Sequence, residues 1–395
     1  MTIDNIENYL QKYKRTLLDD IVPFWLNNSQ DNEYGGFFTC LDREGKVYDT
    51  DKFVWLQCRQ VWCFAMLYNE VESREEWLDC ALLGADFLLN NAVDEQGNWY
   101  FSLTREGTPL IQPYNIFSDC FAAMAFAQLF KATGKQEYAS VALNTFNNIL
   151  ARKENSKGKY NKVILGVRDL KSFSLPMILS NLVLEVEHLL DNSVVEETLR
   201  TTIDTVLNDF YQPEESIILE NVGLEGEFVD CFEGRLVNPG HGMEAMWFLM
   251  DIGVRNNDLQ LIEKAKDISL SLLSYGWDEK YGGIFYFRDI KDKSPLQLEW
   301  DQKLWWVHME TLVCLLKGYL HTDDKRCWEW FEKVHDYSWK HFSDPSYGEW
   351  FGYLNRQGEP LLSLKGGKWK GCFHVPRGMF QCWKTLEKII EKNQL

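Results

Sequence analysis

The chain has 395 residues, with 41 Lys and Arg against 59 Asp and Glu, a net charge of −18. That balance excludes nucleic acid or an anionic membrane as the main partner, because phosphate binding needs a basic face. Aromatic residues are plentiful, at 16 Trp, 17 Tyr and 24 Phe, and a ring-lined cleft is a common home for such an excess beside the core. The stretch from Met1 to Lys14 is polar and shows no secretory signal, and no apolar run is long enough to span a membrane. Ten cysteines without a CxxC pair read as reduced, buried thiols of a cytoplasmic protein. Neither GxGxxG nor GxxxxGK[ST] occurs, which argues against NAD and P-loop chemistry.

Periodicity predicts twelve helices, at 4–27, 53–72, 75–91, 115–133, 136–152, 172–190, 194–211, 239–255, 258–275, 301–321, 324–342 and 376–391. The first helix is followed by a long connection, Asp31-Asn-Glu-Tyr-Gly-Gly-Phe-Phe38. The second, from Phe53, is apolar nearly all round and turns at Glu72-Ser73 into the third. Asp94-Glu-Gln-Gly-Asn-Trp-Tyr-Phe101 then leads to the fourth, and a turn at Thr133-Gly134 to the fifth. Short turns recur at Asp191-Asn192, Asn256-Asn257 and Thr322-Asp323. Long connections recur as Asp278-Glu-Lys-Tyr-Gly-Gly-Ile-Phe285 and Asp344-Pro-Ser-Tyr-Gly-Glu-Trp-Phe351. Each long connection is a turn followed by a strand-like alternation.

The repeat unit is about 66 residues, a helix pair with alternating short and long connections. Odd helices are amphipathic, as in Val194 to Ile203; even helices are apolar all round and therefore buried. Six inner helices ringed by six outer ones make an all-α (α/α)6 barrel, a single catalytic domain over 1–395. Its long, hairpin-like loops gather at the end where the inner helices begin. An open helical solenoid is the alternative.

Polar residues at the loop end of inner helices then need an explanation. They are Arg59 and Gln60, Asn181 and Glu185, His241 and Glu244, His308 and Glu310, and His374 and Arg377. Imidazole suits proton transfer near neutrality, which singles out His241, His308 and His374. His321, His335 and His341 read as solvent-facing residues of outer helices, and His188 as structural. His241-x-x-Glu244 has no second copy on another inner helix, so no metal is expected.

Four segments resemble the N-acylglucosamine 2-epimerase family: Tyr48 to Trp62, Asn238 to Phe248, Lys303 to Glu310 and Gly371 to Arg377. They occur in family order and span the chain. The resemblance implies an (α/α)6 barrel that interconverts N-acetylglucosamine and N-acetylmannosamine. It also implies a homodimer, activated by ATP that is not consumed. Asn181-x-x-x-Glu185 departs from the cellobiose 2-epimerases, which carry histidine at the second position; Pro176-Met177 and Trp306-Val-His308 look like the N-acyl sugar enzymes. Other aldose 2-epimerases or isomerases of cellobiose or mannose type are the alternative. From other classes come a non-catalytic module of the renin-binding type and a glycoside hydrolase, which needs two carboxylates flanking a cleft.

Inverting C2 of an aldose requires removing a proton and returning one to the opposite face of an enediolate. His241 and His374, at the start of two different inner helices, are the expected bases. The resemblance assigns His374 to the gluco and His241 to the manno substrate. Arg59 is expected to stabilise the oxyanion at O1, and Glu244 and Glu310 to orient a histidine or assist ring opening. His308, Gln60, Glu185 and Arg377 are expected to bind the sugar, Trp62, Trp305 and Trp306 to stack on it, and Met177 and Asn181 to line the N-acetyl pocket. The segment Ala151 to Lys162 is basic on an acidic chain. It resembles the loop linked to ATP activation in the family, so Arg152, Lys153, Asn155, Lys157, Gly158, Lys159, Tyr160 and Lys162 are expected to bind nucleotide. Ser156 stands where that loop commonly carries proline.

Overall fold

The computed structural model describes residues 3–155, 157–164 and 166–394; Met1 and Ser156 lie outside the described residues. Twelve helices are present among them. Helix α1 covers 3–28, with a π-helical stretch at Thr16–Ile21. The others are α2 Val54–Glu70, α3 Glu75–Asn91, α4 Phe117–Thr133, α5 Gln136–Arg152, α6 Ser174–Val186 and α7 Asn192–Asp204. Then follow α8 Pro239–Asn256, α9 Leu259–Gly276, α10 Trp305–Thr322, α11 Lys325–His341 and α12 His374–Gln394.

Sequence explains the two layers. In α4 every residue from Ser118 to Leu129 is buried, and in α10 every residue from Trp305 to Gly318. Helices of that kind have no solvent face to offer. In α7 the buried set is Val195, Thr198, Leu199 and Thr202, a single stripe at helical spacing. Even-numbered helices pack side by side in chain order, and each is backed by an odd-numbered neighbour. The ring closes where α1 packs on α12, and where Phe373 meets Trp62 of α2 edge-on at 5.3 Å. Arg43 and Asp344, 301 residues apart, pair at 2.7 Å across the same seam. These contacts exclude the open solenoid.

Helix α10 starts at Trp305 rather than 301, because Lys303–Leu304 forms a strand with Tyr353–Leu354. Its counterpart Lys52–Phe53 pairs with Ser102–Leu103 just before α2. Both strands place a fully buried lysine under the preceding long connection. Lys52 pairs with Asp31, Lys303 with Asp278, and Lys365 with Asp344. Each aspartate also holds an arginine from another loop: Arg105, Arg356 and Arg43 respectively. Three repeats of one buried ion cluster thus tie the rim together. The turn between the aspartate and its strand needs positive φ twice, at Gly35 and Gly36 and again at Gly282 and Gly283. In the third copy Glu349 takes the second position at φ 54, and its carboxylate accepts the Trp25 Nε1 hydrogen bond and pairs with Lys370.

All ten cysteines are unpaired, and all but half-buried Cys231 are buried. No described helix is long and apolar enough to cross a membrane.

Candidate active site

The first turns of the inner helices carry the candidate residues. Asn238 caps α8 by accepting the His241 backbone N–H at 3.2 Å, with Pro239 in the first turn, so His241 is fixed at the helix start. Glu244 follows one turn below. His374 opens α12 with Arg377 one turn below, Trp305 and Trp306 open α10, and Arg59 lies in the second turn of α2.

Two histidines face one tryptophan. The Trp306 ring lies 5.1 Å from His241 and 5.7 Å from His374. Each imidazole is held at Nδ1 by a carboxylate. His374 Nδ1 donates to Glu310 at 2.7 Å, and His241 Nδ1 lies 3.0 Å from both Glu220 oxygens. An Nδ1–H donated to a carboxylate leaves Nε2 as the free, basic atom of each neutral ring. Glu310 also accepts from Trp247 Nε1 at 2.9 Å and from Arg377 at 2.7 Å, and Arg377 bonds Glu244 as well. Arg377 Nη2 is therefore bonded to both carboxylates, while its Nε and Nη1 have no hydrogen-bond partner among the described residues.

The surroundings push the two rings in opposite directions. Burial lowers the His374 pKa well below its usual value, and the Arg59 and Arg377 charges add to that. Burial, the largest single influence, acts against the His241 cation, but Glu220 and, less, Glu244 together outweigh it and the net shift is upward. A proton shared between the two rings therefore favours His241 over His374, which sets His374 as the base and His241 as the acid of a pair. Arg59 is buried among Trp55, Phe121 and Phe373, with its guanidinium 4.4, 3.9 and 4.6 Å from the three ring centres. Its Nε has no hydrogen-bond partner among the described residues. Burial pulls its pKa down to about 9, so it stays charged at neutral pH. A buried guanidinium without a carboxylate bonded to it is suited to a charge that appears only during reaction.

The remaining expectations divide. Trp305 and Trp306 are buried at the site, and Trp305 Nε1 has no hydrogen-bond partner among the described residues. Met177 and Asn181 are buried one turn apart on α6, and Asn181 Oδ1 has no hydrogen-bond partner among the described residues. His308 is not a sugar ligand. Its Nδ1 donates to Leu304 O at 2.8 Å and its Nε2 accepts the Ile284 N–H at 3.0 Å, so both nitrogens are spent on backbone. Its pKa falls to about 3, mainly by burial. Gln60 is turned to the outer layer, where its amide donates to Ser29 Oγ at 2.6 Å. Glu185 accepts from Trp62 Nε1 at 2.9 Å and Gln128 at 3.1 Å, joining α2, α4 and α6. Trp62, buried against Phe373, belongs to that joint rather than to a sugar platform. His335 is buried, not solvated, and lies 3.1 Å from the Tyr13 hydroxyl.

Glu220 and Trp247 were missed by sequence reasoning. Glu220 had a signal, a lone acid in the apolar run Ile217 to Val222. Trp247 had none beyond its spacing from Glu244 on α8. Glu244, Glu310 and His374 offer ligand atoms within 4.8 Å of one another, but the cation bonded to both of these carboxylates is the Arg377 guanidinium.

The basic segment borders a second cavity, a cleft of about 1900 Å³ lined by Lys153, Asn155 and Lys157 together with Asn115, Phe117, Pro176 and Arg168. Gly158, Lys159, Tyr160 and Lys162 are not part of this lining; Tyr160 instead donates to Gln112 at 2.9 Å. Arg152 turns the other way and bonds Asp119, so it is not a free phosphate ligand.

A family model for N-acylglucosamine 2-epimerase (GlcNAc 2-epimerase) matches residues 36–376. The N-acylglucosamine 2-epimerases of Mus musculus and Homo sapiens are each 40% identical over 97% of this chain, covering 94% and 92% of their own lengths. The structure of cellobiose 2-epimerase from Spirochaeta thermophila superposes with a TM-score of 0.82 at 20% identity, covering 98% of both chains, which supports the barrel assignment.

Proposed function

The chain belongs to the N-acylglucosamine 2-epimerase family, and from that premise we propose that it interconverts N-acetyl-D-glucosamine and N-acetyl-D-mannosamine by proton transfer at C2. The observation that carries the reading is the pair of imidazoles held alike at Nδ1 but biased oppositely in charge. In the gluco-to-manno direction, His374 Nε2 takes the C2 proton of the open-chain aldehyde. The C–H electron pair forms a C1–C2 double bond, and the carbonyl pair moves onto O1. Arg59 faces that oxyanion with a charge that water does not screen. The His241 imidazolium returns a proton to the opposite face of C2, and the C1 carbonyl re-forms. In the reverse direction the two histidines exchange roles. Glu310 and Glu220 hold the ring orientations, and Arg377 bridges Glu310 and Glu244.

ATP is the proposed activator, seated in the cleft with Lys153 and Lys157 against its phosphates. It supplies no atom to the reaction.

The test is to incubate the protein with N-acetylmannosamine in deuterated water and follow the product by NMR. N-acetylglucosamine carrying deuterium at C2 is the expected result. Product that retains the original proton at C2 refutes the two-base reading, and absence of any epimer refutes the substrate assignment.

A further inference from the structure

One charge pair, with its carboxylate buried and its arginine partly exposed, stands outside the machinery just described. Asp119, fully buried in the first turn of α4, accepts a hydrogen bond from Arg152 in the last turn of α5. The second oxygen of Asp119 and the Nε of Arg152 have no other partner among the described residues. Ile116, the residue before α4, provides no side-chain cap, and Asn115 Oδ1 accepts the Phe117 N–H at 3.1 Å, so the pair and Asn115 together hold this helix start.

What flanks the pair on each side is informative. Phe121, two residues beyond Asp119, is one of the three rings around the Arg59 guanidinium, and the nearest at 3.9 Å. Phe121 also packs edge-on against Phe373 at 5.4 Å, the residue before His374. Arg59 has no hydrogen bond to hold it among the described residues, so its position follows its rings. On the other side, Leu150 and Lys153 flank Arg152 and line the basic cleft, as do Asn115, Ile116 and Phe117 at the α4 start. The pair therefore lies between the cleft wall and the seat of Arg59. Coupling of two sites needs a contiguous element whose arrangement both sites can bias.

We propose that the Asp119–Arg152 pair is a positioning element that sets Arg59 through Phe121 and carries occupation of the basic cleft to that guanidinium. The second half rests on the nucleotide reading above; the first half does not.

The experiment compares Asp119→Asn, Arg152→Gln and Arg152→Lys with the parent protein. It measures kcat and KM with and without ATP, and ATP affinity by calorimetry. Asp119→Asn and Arg152→Gln should lower kcat about tenfold or more, the scale expected for a misplaced catalytic group. KM and ATP affinity should stay within about threefold, and stimulation by ATP should vanish. Arg152→Lys, which keeps the charge, should recover most of the loss. Phe121→Leu, which leaves the pair intact, should lower kcat in the same way and covers the case in which the charge variants do not fold. Parental kcat and stimulation in folded Asp119→Asn overturn the proposal. Weakened ATP binding with unchanged basal kcat also overturns it, by assigning the pair to the cleft alone. If ATP does not bind the parent protein, the nucleotide reading falls and the kcat data still decide the first half.

Discussion

Replacing Glu220 by Gln removes the charge that makes His241 the more basic of the two imidazoles. Both Glu220 oxygens lie 3.0 Å from His241 Nδ1. Burial, the largest single influence, opposes the cation, and only Glu220 and the less influential Glu244 oppose burial. The amide keeps a hydrogen-bond acceptor for Nδ1–H but leaves burial nearly unopposed, so the His241 pKa should fall from above its usual value to below it. A neighbouring opposite charge is worth about 1–3 pKa units. The His241 side chain is 26% exposed, so solvent screens part of that effect. The reactive enzyme holds one proton between the two histidines. The alkaline limb of kcat/KM therefore reports loss of that proton, which resides mainly on His241. In Glu220→Gln this limb should move to lower pH. Above it, the rate should fall about tenfold per unit. The equilibrium constant fixes the ratio of kcat/KM in the two directions, so the shift must be equal for both epimers. Initial rates by NMR from pH 5 to 9, with both sugars, measure it. An unmoved limb in a variant that melts like the parent refutes the assigned role of Glu220 and the charge difference between the histidines.

Three further outcomes concern His308, which the structure reassigns, and the lysines of the basic segment. His308→Gln should leave KM within about threefold, since both nitrogens serve backbone; a KM rise of tenfold or more would return His308 to the sugar. The same variant tests acid stability. Neutral His308 in the fold, with a pKa near 3, against ~6.5 unfolded contributes stability that is complete above about pH 6.5 and is lost as pH falls towards 3. Its replacement should therefore flatten the decline of Tm below pH 6.5. Lys157→Ala should raise the ATP concentration for half-maximal stimulation about tenfold, as expected for one charged hydrogen bond, and Lys159→Ala, outside the cleft lining, should change it less; equal effects would displace the proposed phosphate site.

Helix spans and their two-layer order were legible because burial is written in composition: α4 and α10 lack a polar stripe and α7 has one. The approximate address of the site was legible for a similar reason, since His241, Glu244, Glu310 and His374 interrupt apolar helices. What each polar residue does was less legible. His308 and His374 look alike in sequence, yet one is spent on loop backbone and the other keeps Nε2 free. Gln57 shows the pattern behind His308. It stands five residues after buried Lys52, as His308 stands five after Lys303, and it likewise bonds the backbone of the preceding loop, at Phe37. Glu220 escaped because its partner lies 21 residues away, a distance that no helical or strand period encodes.

The seam between Arg43 and Asp344 bears on how this architecture can change over evolutionary time. An open array of helix pairs lengthens by duplicating a unit and needs special units only at its two ends. Here the first and last units cover each other, so there are no ends, and a seventh unit would pull apart Arg43 from Asp344 and Trp62 from Phe373. The diameter of the barrel is thereby frozen at six units. New specificities on this scaffold must arise by rewriting the long connections and the first turns beneath them, where the residues that divide into structural and reactive histidines already lie.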